Sequence, residues 1–384
     1  MRLAVIGGGP GAWIGDMHRG AAQMDGHWRV VAGVFSSDPA RSRAAGISLG
    51  LEPERAYGEV AQMLAREHTR DDAIDAVAIM TPNDTHHPYA AAALDAGFDV
   101  VGDKPVAHDF AQACDLLQRT RKGKRLFAVT HGYSAYPMTR YARHLVREGV
   151  LGDIRLVQVE YIQSGLATRV EDGPASRRFG WILDPQRSGL ALVMGAIGCH
   201  AQHLACFVAN ASIAKVSADV GALMPGRQVV DYVSALLQFD NGARGTFTVT
   251  QASAGAENDI RLRVFGSKGS LEWSHRQASY LQLALQGEAP RTIGRGDAFL
   301  PPDILAAGRT PRGHPEGLRE AFANIYSEMA LERMAMTLGE TPPGAPYPHI
   351  ADGVHTMAFI EACLRSHDSG HWAELEPVPA SLGV

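Results

Sequence analysis

Short apolar runs alternate with longer amphipathic segments through the first third of the chain. Apolar runs at residues 3–7, 30–35, 76–80, 98–102 and 126–130 predict five buried strands. Runs of this length, bounded by turn residues, are typical of parallel strands whose two faces are both buried. The segments between them have the length of crossover helices, so the pattern predicts a doubly wound α/β unit.

Residues that commonly begin or end helices agree with this prediction. Pro88 opens an alanine-rich segment at its first-turn position and Gly97 closes that segment. Gly123 ends a helical segment that carries Phe110 and Leu117 on its apolar positions. Each of these segments is therefore expected to form one helix between two strands.

After about residue 150, apolar and polar positions alternate instead. Residues 154–163 alternate along one predicted strand, and residues 233–251 form a predicted hairpin around Asp240-Asn241-Gly242. Residues 261–273 form a second hairpin with a glycine-containing turn. Strands with one apolar face and short turns are typical of an antiparallel sheet, which we expect in the second half of the chain.

Helical segments precede and follow these hairpins at about residues 190–208, 316–337 and 350–366. The last two are expected to cover one face of the antiparallel sheet, because an apolar sheet face has to be buried against another layer. Residues 286–315 are rich in Gly, Pro and Arg and are the expected long loop. The second half is therefore predicted to be α+β.

Composition excludes several classes of protein. The chain has 384 residues, of which 46% are hydrophobic and 20% charged, as in globular rather than disordered proteins. Lys and Arg number 36 against 41 Asp and Glu, so no basic surface for nucleic acid or an anionic membrane is expected. The four cysteines lack metal or disulfide spacing, and neither a signal peptide nor a membrane span is predicted. We expect a cytoplasmic protein that acts on small molecules.

A glycine-rich turn follows the first predicted strand. Gly7 and Gly9 fit the first two positions of a G-x-G-x-x-G turn, and Gly15 best matches the third after about three inserted residues. Glycines let the backbone approach a pyrophosphate, whose charge then faces the amides of a helix N-terminus. His18 is expected to begin that helix. A glycine turn without a ligand is the alternative, and the strand–turn–helix context favours dinucleotide binding.

Residues after the second strand bear on the choice between NAD and NADP. Ser36 stands where a carboxylate would bind the ribose of NAD, so a 2′-phosphate would meet no fixed repulsion there. Ser37 follows it, and Arg41 or Arg43 could pair with a 2′-phosphate. Asp38 could accept a ribose hydroxyl or simply cap the next helix. The cofactor is therefore expected to be NAD or NADP, with the preference open.

Further motifs follow in order along the chain: Thr81-Pro82-Asn83 with His86, Asp103-Lys104-Pro105, and the segments 129–137, 151–161 and 194–200. With the glycine turn, they resemble the glucose-fructose oxidoreductase/inositol dehydrogenase (Gfo/Idh/MocA) family over most of the chain. The order of the motifs carries the resemblance, since no single motif is specific. It implies an NAD(P)-dependent oxidoreductase acting on CH–OH groups of sugars, polyols and related cyclic alcohols. It also implies a Rossmann domain and a second domain whose large open sheet often forms the oligomer interface.

The resemblance assigns chemistry to particular residues. Lys104 matches the lysine that holds and polarises the reacting oxygen, and His200 matches a histidine that exchanges the hydroxyl proton. His203 lies three residues after His200, but no third ligand has suitable spacing, so no metal is expected. The expected cofactor-binding residues are Gly7, Gly9, Gly15, Ser36, Ser37, Arg41, Thr81, Pro82, Asn83, His86, Asp103 and Lys104.

Two positions depart from the family pattern. Ala196 stands where the family has an aspartate, and Ile182 stands where an arginine often follows the tryptophan that matches Trp181. Alanine can neither orient a histidine nor bond a sugar hydroxyl. Either another group supplies that function, or the substrate presents fewer hydroxyls, or catalysis is weakened.

Several side chains are expected to contact the substrate. Tyr133 follows the fifth strand, at the sheet edge where doubly wound folds bind ligands, although tyrosine packing explains it nearly as well. Tyr161 and Gln163 share one face of a strand, and this face is either the cleft or the polar side of the sheet. His314 ends the long loop as an expected lid residue. The full expected set is Tyr133, Tyr161, Gln163, Trp181, His200 and His314.

The sequence therefore predicts an oxidoreductase that transfers a hydride between a nicotinamide cofactor and a secondary alcohol of a cyclic polyol, sugar or glycoside. We predict a Rossmann domain with a doubly wound parallel sheet at residues 1–131. An α+β substrate and oligomerisation domain with a large, mainly antiparallel open sheet is predicted at residues 132–384, in a homodimer or homotetramer. An NAD-dependent redox-elimination glycosidase and a non-catalytic cofactor-binding regulator stay open as alternatives; Ala196 and Ile182 alone favour the regulator.

Overall fold

Five parallel strands form the first sheet, one from each apolar run of the first third. The structure, a computed structural model, describes residues 1–172, 180, 182–188, 192–342, 344 and 346–379. The strands are β1 (Arg2–Gly7), β2 (Arg29–Val34), β3 (Ala76–Met80), β4 (Asp99–Gly102) and β5 (Phe127–Val129). Their order is β2-β1-β3-β4-β5, which confirms the predicted doubly wound sheet. The order reverses between β1 and β3, the place where such sheets bind ligands.

Helices connect these strands, as the spacing predicts. They are α1 (Trp13–Met24), α2 (Pro39–Ser48), α3 (Val60–His68), α4 (His86–Asp95) and α5 (Phe110–Gly123). The carboxylate of Asp38 accepts from the Arg41 N–H at 2.8 Å and caps α2. Asp109 caps α5 in the same way, accepting from the Gln112 N–H at 2.8 Å.

Helix α1 begins at Trp13, well before the expected start at His18. The Ala12 N–H donates to the Gly9 carbonyl at 3.0 Å and closes the turn, and the Asp16 N–H donates to the Ala12 carbonyl at 3.2 Å. Gly15 therefore lies inside the first helical turn, where a glycine costs only about 1 kcal/mol relative to alanine. The expectation is wrong because it assigns every glycine of the motif to the turn.

The described residues of the second half form a nine-stranded sheet. Its strands are β6 (Ile154–Gln163), β7 (Ile213–Gly221), β8 (Tyr232–Phe239), β9 (Arg244–Thr250), β10 (Asn258–Gly266), β11 (Gly269–Ser274), β12 (Tyr280–Leu285), β13 (Arg291–Gly294) and β14 (Ala373–Glu374). Their order is β13-β12-β11-β10-β6-β9-β8-β7-β14. Strands β6 and β9 pair in parallel, and the other neighbours pair antiparallel, which confirms the predicted sheet.

Shorter helices accompany this sheet: α6 (Pro137–Arg147), α7 (Pro185–Ser188), α8 (Cys199–Ala209) and α9 (Pro302–Ala306). A π-helical turn, Met194–Gly198, leads directly into α8. The expected long loop at residues 286–315 contains β13 and α9, so it is only partly irregular. The buried Ile293 gives β13 an apolar side, and Pro302 occupies the first turn of α9, which is why both elements form there.

Two longer helices, α10 (Leu318–Leu338) and α11 (Ile350–Ser369), lie near the end of the chain. The Trp28 indole N–H, next to β2, donates to the Tyr326 carbonyl of α10 at 2.8 Å. Phe359 of α11 packs edge-on against Phe247 of β9, with ring centroids 5.1 Å apart. Helix α11 thus packs on the second sheet as expected, whereas α10 packs beside the first sheet. No helix within the described part of the chain is long and apolar enough to cross a bilayer.

Contacts group the chain into two compact units. The unit around the first sheet contains Met1–Thr130 and also Arg319–Val354. The unit around the second sheet contains His131–Leu318 and His355–Pro377. The expectation that α10 covers the second sheet is wrong, because its buried aromatic side chains meet α1 and the start of β2. The division into folding domains at residue 131 stays a prediction.

His18 is a buried histidine on α1 that contacts α10. Its Nδ1 lies 2.7 Å from the Tyr326 hydroxyl, and its ring packs edge-on against Phe322 with centroids 5.4 Å apart. Burial lowers the pKa of His18 from 6.5 to about 4, although Asp103 opposes this shift. The folded protein therefore keeps this imidazole neutral at neutral pH.

This lowered pKa makes stability depend on pH through His18. Between pH 6.5 and 4 the unfolded chain binds a proton at His18 and the folded chain does not, so folding loses stability as the pH falls. We expect a loss of about 3 kcal/mol over that interval, which levels off below pH 4. Urea denaturation of the parent and of His18→Gln at several pH values measures it. The difference between the two should shrink as the pH falls, and a constant difference would contradict the shift.

Candidate functional site

The glycine turn brings three chain segments into backbone contact. A Cβ on Gly7 would lie 2.7 Å from the Met80 carbonyl, and Gly7 has a positive φ of 89°. A Cβ on Gly9 would lie 2.6 Å from the Phe35 carbonyl. Because Met80 ends β3 and Phe35 follows β2, side chains at these positions would push the turn away from the strand ends. The three strand ends thus meet in a backbone cradle at the topological switch point.

Gly15 completes this cradle from the helix side. A Cβ on Gly15 would lie only 2.0 Å from the Gly8 carbonyl oxygen, so the helix approaches the turn as closely as a backbone can. Ala12 at the N-cap of α1 has no side-chain oxygen with which to cap the helix. The amides of the first helical turn are therefore suited to receive an anion. This geometry fits the pyrophosphate of a dinucleotide.

The residues after β2 show how Asp38 contacts the next helix. The Asp38 carboxylate caps α2, as already described, and the Asp38 N–H donates to the Ser36 hydroxyl at 3.2 Å. Arg41 lies 3.9 Å from the Asp38 carboxylate, and its side chain is 77% exposed. Ser36 is half-buried and Ser37 is exposed. Asp38 therefore acts as a helix cap, and no acidic side chain stands at position 36.

His86 holds together the two loops that carry the family motifs. Its Nδ1 lies 2.6 Å from the Pro105 carbonyl, and its Nε2 lies 2.8 Å from the Thr81 carbonyl. The Thr85 hydroxyl donates to the Pro82 carbonyl at 2.7 Å and lies 2.8 Å from the Thr81 hydroxyl. Both ring nitrogens face carbonyl oxygens, so the His86 ring braces the two loops, and its expected contact with the cofactor stays a prediction.

Asp103 orients the lysine that follows it. One oxygen of its carboxylate accepts from the Lys104 N–H at 2.8 Å and from the Thr130 hydroxyl at 2.8 Å. Burial by itself would raise the pKa of Asp103, but the nearby Lys104 charge holds this pKa below its usual value. Asp103 therefore stays ionised and holds the Lys104 backbone. This geometry gives Asp103 a positioning role, and its expected contact with the cofactor stays a prediction.

The second unit contains a cluster of hydroxyl and amide groups around Tyr161. Its hydroxyl lies 2.6 Å from that of Tyr133 and donates to the Asn258 Oδ1 at 2.7 Å. The Gln163 amide donates to the same Oδ1 at 2.5 Å and to the Tyr161 hydroxyl at 3.1 Å. Because the Tyr161 hydrogen is committed to Asn258, Tyr133 is the donor to Tyr161. Burial raises the pKa of Tyr161 well above 10, so it stays a neutral phenol.

His200 lies next to this cluster on α8. Its ring packs edge-on against Tyr133, with centroids 5.1 Å apart, and against His131 at 5.8 Å. His131 stacks on His203 with centroids 4.4 Å apart and nearly parallel rings. The structure thus brings together Tyr133, Tyr161, Gln163 and His200 of the expected set. Among the described residues, no group of three or more His, Cys, Asp or Glu is arranged to hold a metal.

The two departures from the family pattern have different surroundings. Ala196 lies in the π-helical turn before α8, and such turns often occur at functional sites. Ile182 packs against an apolar cluster that contains Leu166, Leu192 and Val229. An arginine at 182 would lose this apolar contact, so the isoleucine suits its surroundings. Trp181 lies outside the described residues.

His314 belongs to a separately organised loop. The Arg295 guanidinium donates to the His314 carbonyl at 2.8 Å, and it pairs with the Glu316 carboxylate at 3.0 Å. The Arg295 and Glu316 side chains are both buried. Together with Tyr280 and Arg312, His314 lines a cavity of about 190 Å³. The backbone of the expected lid residue is therefore anchored, while its side chain is exposed, and its lid role stays a prediction.

The sequence analysis missed three residues around Tyr133 and His200. Asn258 pairs with Gln163 across β10 and β6, so the strand register would have found it. His275 lies 5.2 Å from Tyr133 between ring centroids. His131 directly precedes the Tyr133 motif, but nothing in its spacing indicates that it stacks on His203.

Comparisons with known proteins agree with this description. Residues 1–131 match the family model described as an oxidoreductase family with an NAD-binding Rossmann fold, and residues 139–272 match the GFO/IDH/MocA C-terminal domain. The uncharacterized oxidoreductase YfiI of Bacillus subtilis is 32% identical over 98% of this chain and 97% of its own length. The chain belongs to the Gfo/Idh/MocA family of oxidoreductases. The resemblance, the α/β fold class and the enzyme class are therefore confirmed.

Solved structures of this family resemble the chain along nearly all of its length. The structure of an inositol dehydrogenase homolog from Azotobacter vinelandii complexed with NAD+ has a TM-score of 0.93 and 32% identity, covering 97% of both chains. The same homolog complexed with NADH and myo-inositol has a TM-score of 0.90, with the same identity and coverage. This member of the Gfo/Idh/MocA family is accordingly an oxidoreductase with an NAD-binding Rossmann fold.

Proposed function

We propose that the chain oxidises a secondary alcohol of a cyclic polyol, sugar or glycoside, or reduces the corresponding ketone. The observation that carries the substrate class is the partly buried cluster of Tyr133, Tyr161, Gln163 and Asn258 beside His200. Phenol, amide and imidazole groups in one place match a ligand that carries many hydroxyls. The likeness to an inositol dehydrogenase homolog whose structure contains myo-inositol supports the same class.

The first unit would hold the cofactor. The turn from Gly7 to Gly15 would receive the pyrophosphate, and Thr81, Pro82 and Asn83 would hold the nicotinamide end. The bound cofactor supplies the atom that accepts or donates a hydride. His86 and Asp103 keep these loops in place through their contacts with backbone groups. The protein thus provides a rigid backbone surface for a ligand with a fixed shape.

Lys104 and His200 carry the proton chemistry in this proposal. The Lys104 ammonium stabilises negative charge on the reacting oxygen as the hydroxyl proton leaves. His200 exchanges that proton, since an imidazole ring nitrogen can both accept and donate a proton. Because Ala196 cannot orient His200, the rings of Tyr133 and His131 that pack against it set its position.

We also propose a homodimer or homotetramer in the cytoplasm. The face of the second sheet that carries Gln158, Glu160 and Arg261 has partly exposed side chains, in contrast to the buried Val157 and Val159 on the other face. Arg261 pairs with Glu272 at 2.6 Å on this face. A broad face with satisfied charges suits contact with a second copy of the chain.

The test is a cofactor and substrate survey with the purified protein. NAD+ and NADP+ are supplied separately with myo-inositol, other cyclic polyols, free sugars and glycosides, and formation of reduced nicotinamide is followed by absorbance. Turnover with a polyol or sugar supports the proposal. Binding of NADH without turnover on any alcohol would favour a regulator, and glycoside hydrolysis without added cofactor would favour the glycosidase.

The same assay tests the position of Ser36. Ser36→Asp places a carboxylate at the end of β2, where it would repel a 2′-phosphate. We expect the ratio of kcat/KM for NADP+ to that for NAD+ to fall at least tenfold. Ser48→Asp adds the same charge on the exposed end of α2 and serves as the control. An unchanged ratio in Ser36→Asp would place the ribose elsewhere.

A further inference from the structure

Arg19 reaches from the second turn of α1 back to the glycine turn. Its Nη1 donates to the Gly8 carbonyl oxygen, and its Nη2 donates to the Asp16 carboxylate at 2.5 Å. The Arg19 side chain is only 9% exposed, whereas that of Asp16 is 60% exposed. One buried guanidinium therefore contacts both the turn and the first turn of the helix.

The Gly8 carbonyl is held at a crowded point of the molecule. A Cβ on Gly15 would lie 2.0 Å from this oxygen, and a Cβ on Gly8 would lie 2.5 Å from the Met80 sulfur. A trans peptide unit is planar, so the N–H of Gly9 points opposite to the Gly8 carbonyl. By holding that carbonyl, Arg19 directs the Gly9 N–H to the other side of the turn. This fixes the direction of one donor of the cradle.

Arg19 also pairs with the charge of Asp16 at the start of α1. A carboxylate in the first turn of a helix interacts favourably with the helix dipole, but it repels an anion bound at the same end. The Asp16 carboxylate is exposed in that turn, and its ion pair with Arg19 offsets part of its charge. Without Arg19, this carboxylate would oppose the binding of a pyrophosphate.

We infer that Arg19 is a positioning residue for the dinucleotide, through the Gly8 carbonyl and through the charge of Asp16. The inference rests on the proposed function, because it takes the turn from Gly7 to Gly15 as the pyrophosphate site. Arg19 itself need not touch the cofactor. Its effect should therefore appear in cofactor affinity and in the cofactor KM, and much less in kcat.

The experiment compares four variants by fluorescence titration with NADH and with ADP-ribose, which keeps the pyrophosphate but lacks the nicotinamide. Arg19→Met should weaken both at least tenfold, because it removes a charge-assisted hydrogen bond and exposes the Asp16 charge. Arg19→Lys should lose less, since it keeps the charge without the two-pronged contact. Asp16→Asn in the Arg19→Met background should recover several-fold of the loss. Arg70→Met removes another arginine–carboxylate pair in the same unit and is the control.

The outcomes separate this inference from the proposed function. Parental binding in Arg19→Met or Arg19→Lys, with normal binding by the parent, would overturn the inference alone. Equal loss in Arg19→Met with and without Asp16→Asn would overturn its charge component. Failure of the parent to bind either ligand would overturn the assignment of the turn itself. If Arg19→Met does not fold by circular dichroism, Arg19→Lys still decides the question.

Discussion

Turnover of a Lys104→Met variant is expected to fall about a hundredfold or more, while NADH binding changes little. Methionine keeps much of the length of lysine but cannot stabilise an oxygen that gains negative charge. Loss of one such donor costs about 3 kcal/mol in transition-state stabilisation. The Asp103 carboxylate holds the Lys104 backbone, and that contact survives the substitution. The loop should therefore keep its shape and only the charge should be lost.

The measurement is steady-state turnover on one substrate identified in the survey, together with NADH titration. Lys122→Met removes an exposed lysine from α5 in the same unit and should leave both quantities unchanged. A hundredfold loss in kcat with parental NADH affinity supports the role of Lys104. Turnover near that of the parent would show that the chemistry lies elsewhere.

The strands of the first sheet could be predicted because they are buried on both faces. Their side chains give continuous apolar runs, and every run became a strand. The alternating patterns of β6, β8 and β9 were equally direct, since one face of each strand is buried and the other is not. The local pattern of side chains thus determines which elements form.

The packing partner of α10 could not be predicted in the same way. The helix carries apolar side chains such as Phe322 and Met329 that have to be buried, but either sheet could bury them. Its place was decided by Trp28 and His18, which contact Tyr326 more than 290 residues further along the chain. Such distant contacts leave no local signal in the sequence.

The residues of the candidate site could also be predicted only in part. The motifs located Lys104 and the glycine turn, but they did not separate residues that face a ligand from residues that brace a loop. His86 was expected to contact the cofactor, and its two ring nitrogens lie against backbone carbonyls of two loops. Asp103 was expected to do the same, and one oxygen of its carboxylate binds the Lys104 N–H and the Thr130 hydroxyl. Asn258 became visible only through its pairing with Gln163. The positions of a residue's hydrogen-bond partners show whether it braces a loop, and a sequence motif does not contain those positions.

The glycine cradle permits an equally sharp test of the first unit. Gly15→Ala should weaken NADH binding at least a hundredfold, because its Cβ would lie 2.0 Å from the Gly8 carbonyl oxygen. This neighbour is backbone, so relief requires the turn and the helix to separate. That separation moves the amides of α1 away from the pyrophosphate position.

Gly20→Ala in the same helix is the matched control for Gly15→Ala. A Cβ on Gly20 would meet only the Arg319 side chain at 3.4 Å, an ordinary contact, and alanine favours a helix by up to about 1 kcal/mol over glycine. Gly20→Ala should therefore keep parental NADH affinity with equal or higher thermal stability. Gly9→Ala, whose Cβ would lie 2.6 Å from the Phe35 carbonyl, should behave like Gly15→Ala if crowding of the cradle is the cause. The measurement is fluorescence titration of the three folded variants with NADH. Parental affinity in Gly15→Ala and Gly9→Ala would show that the pyrophosphate does not bind at this turn.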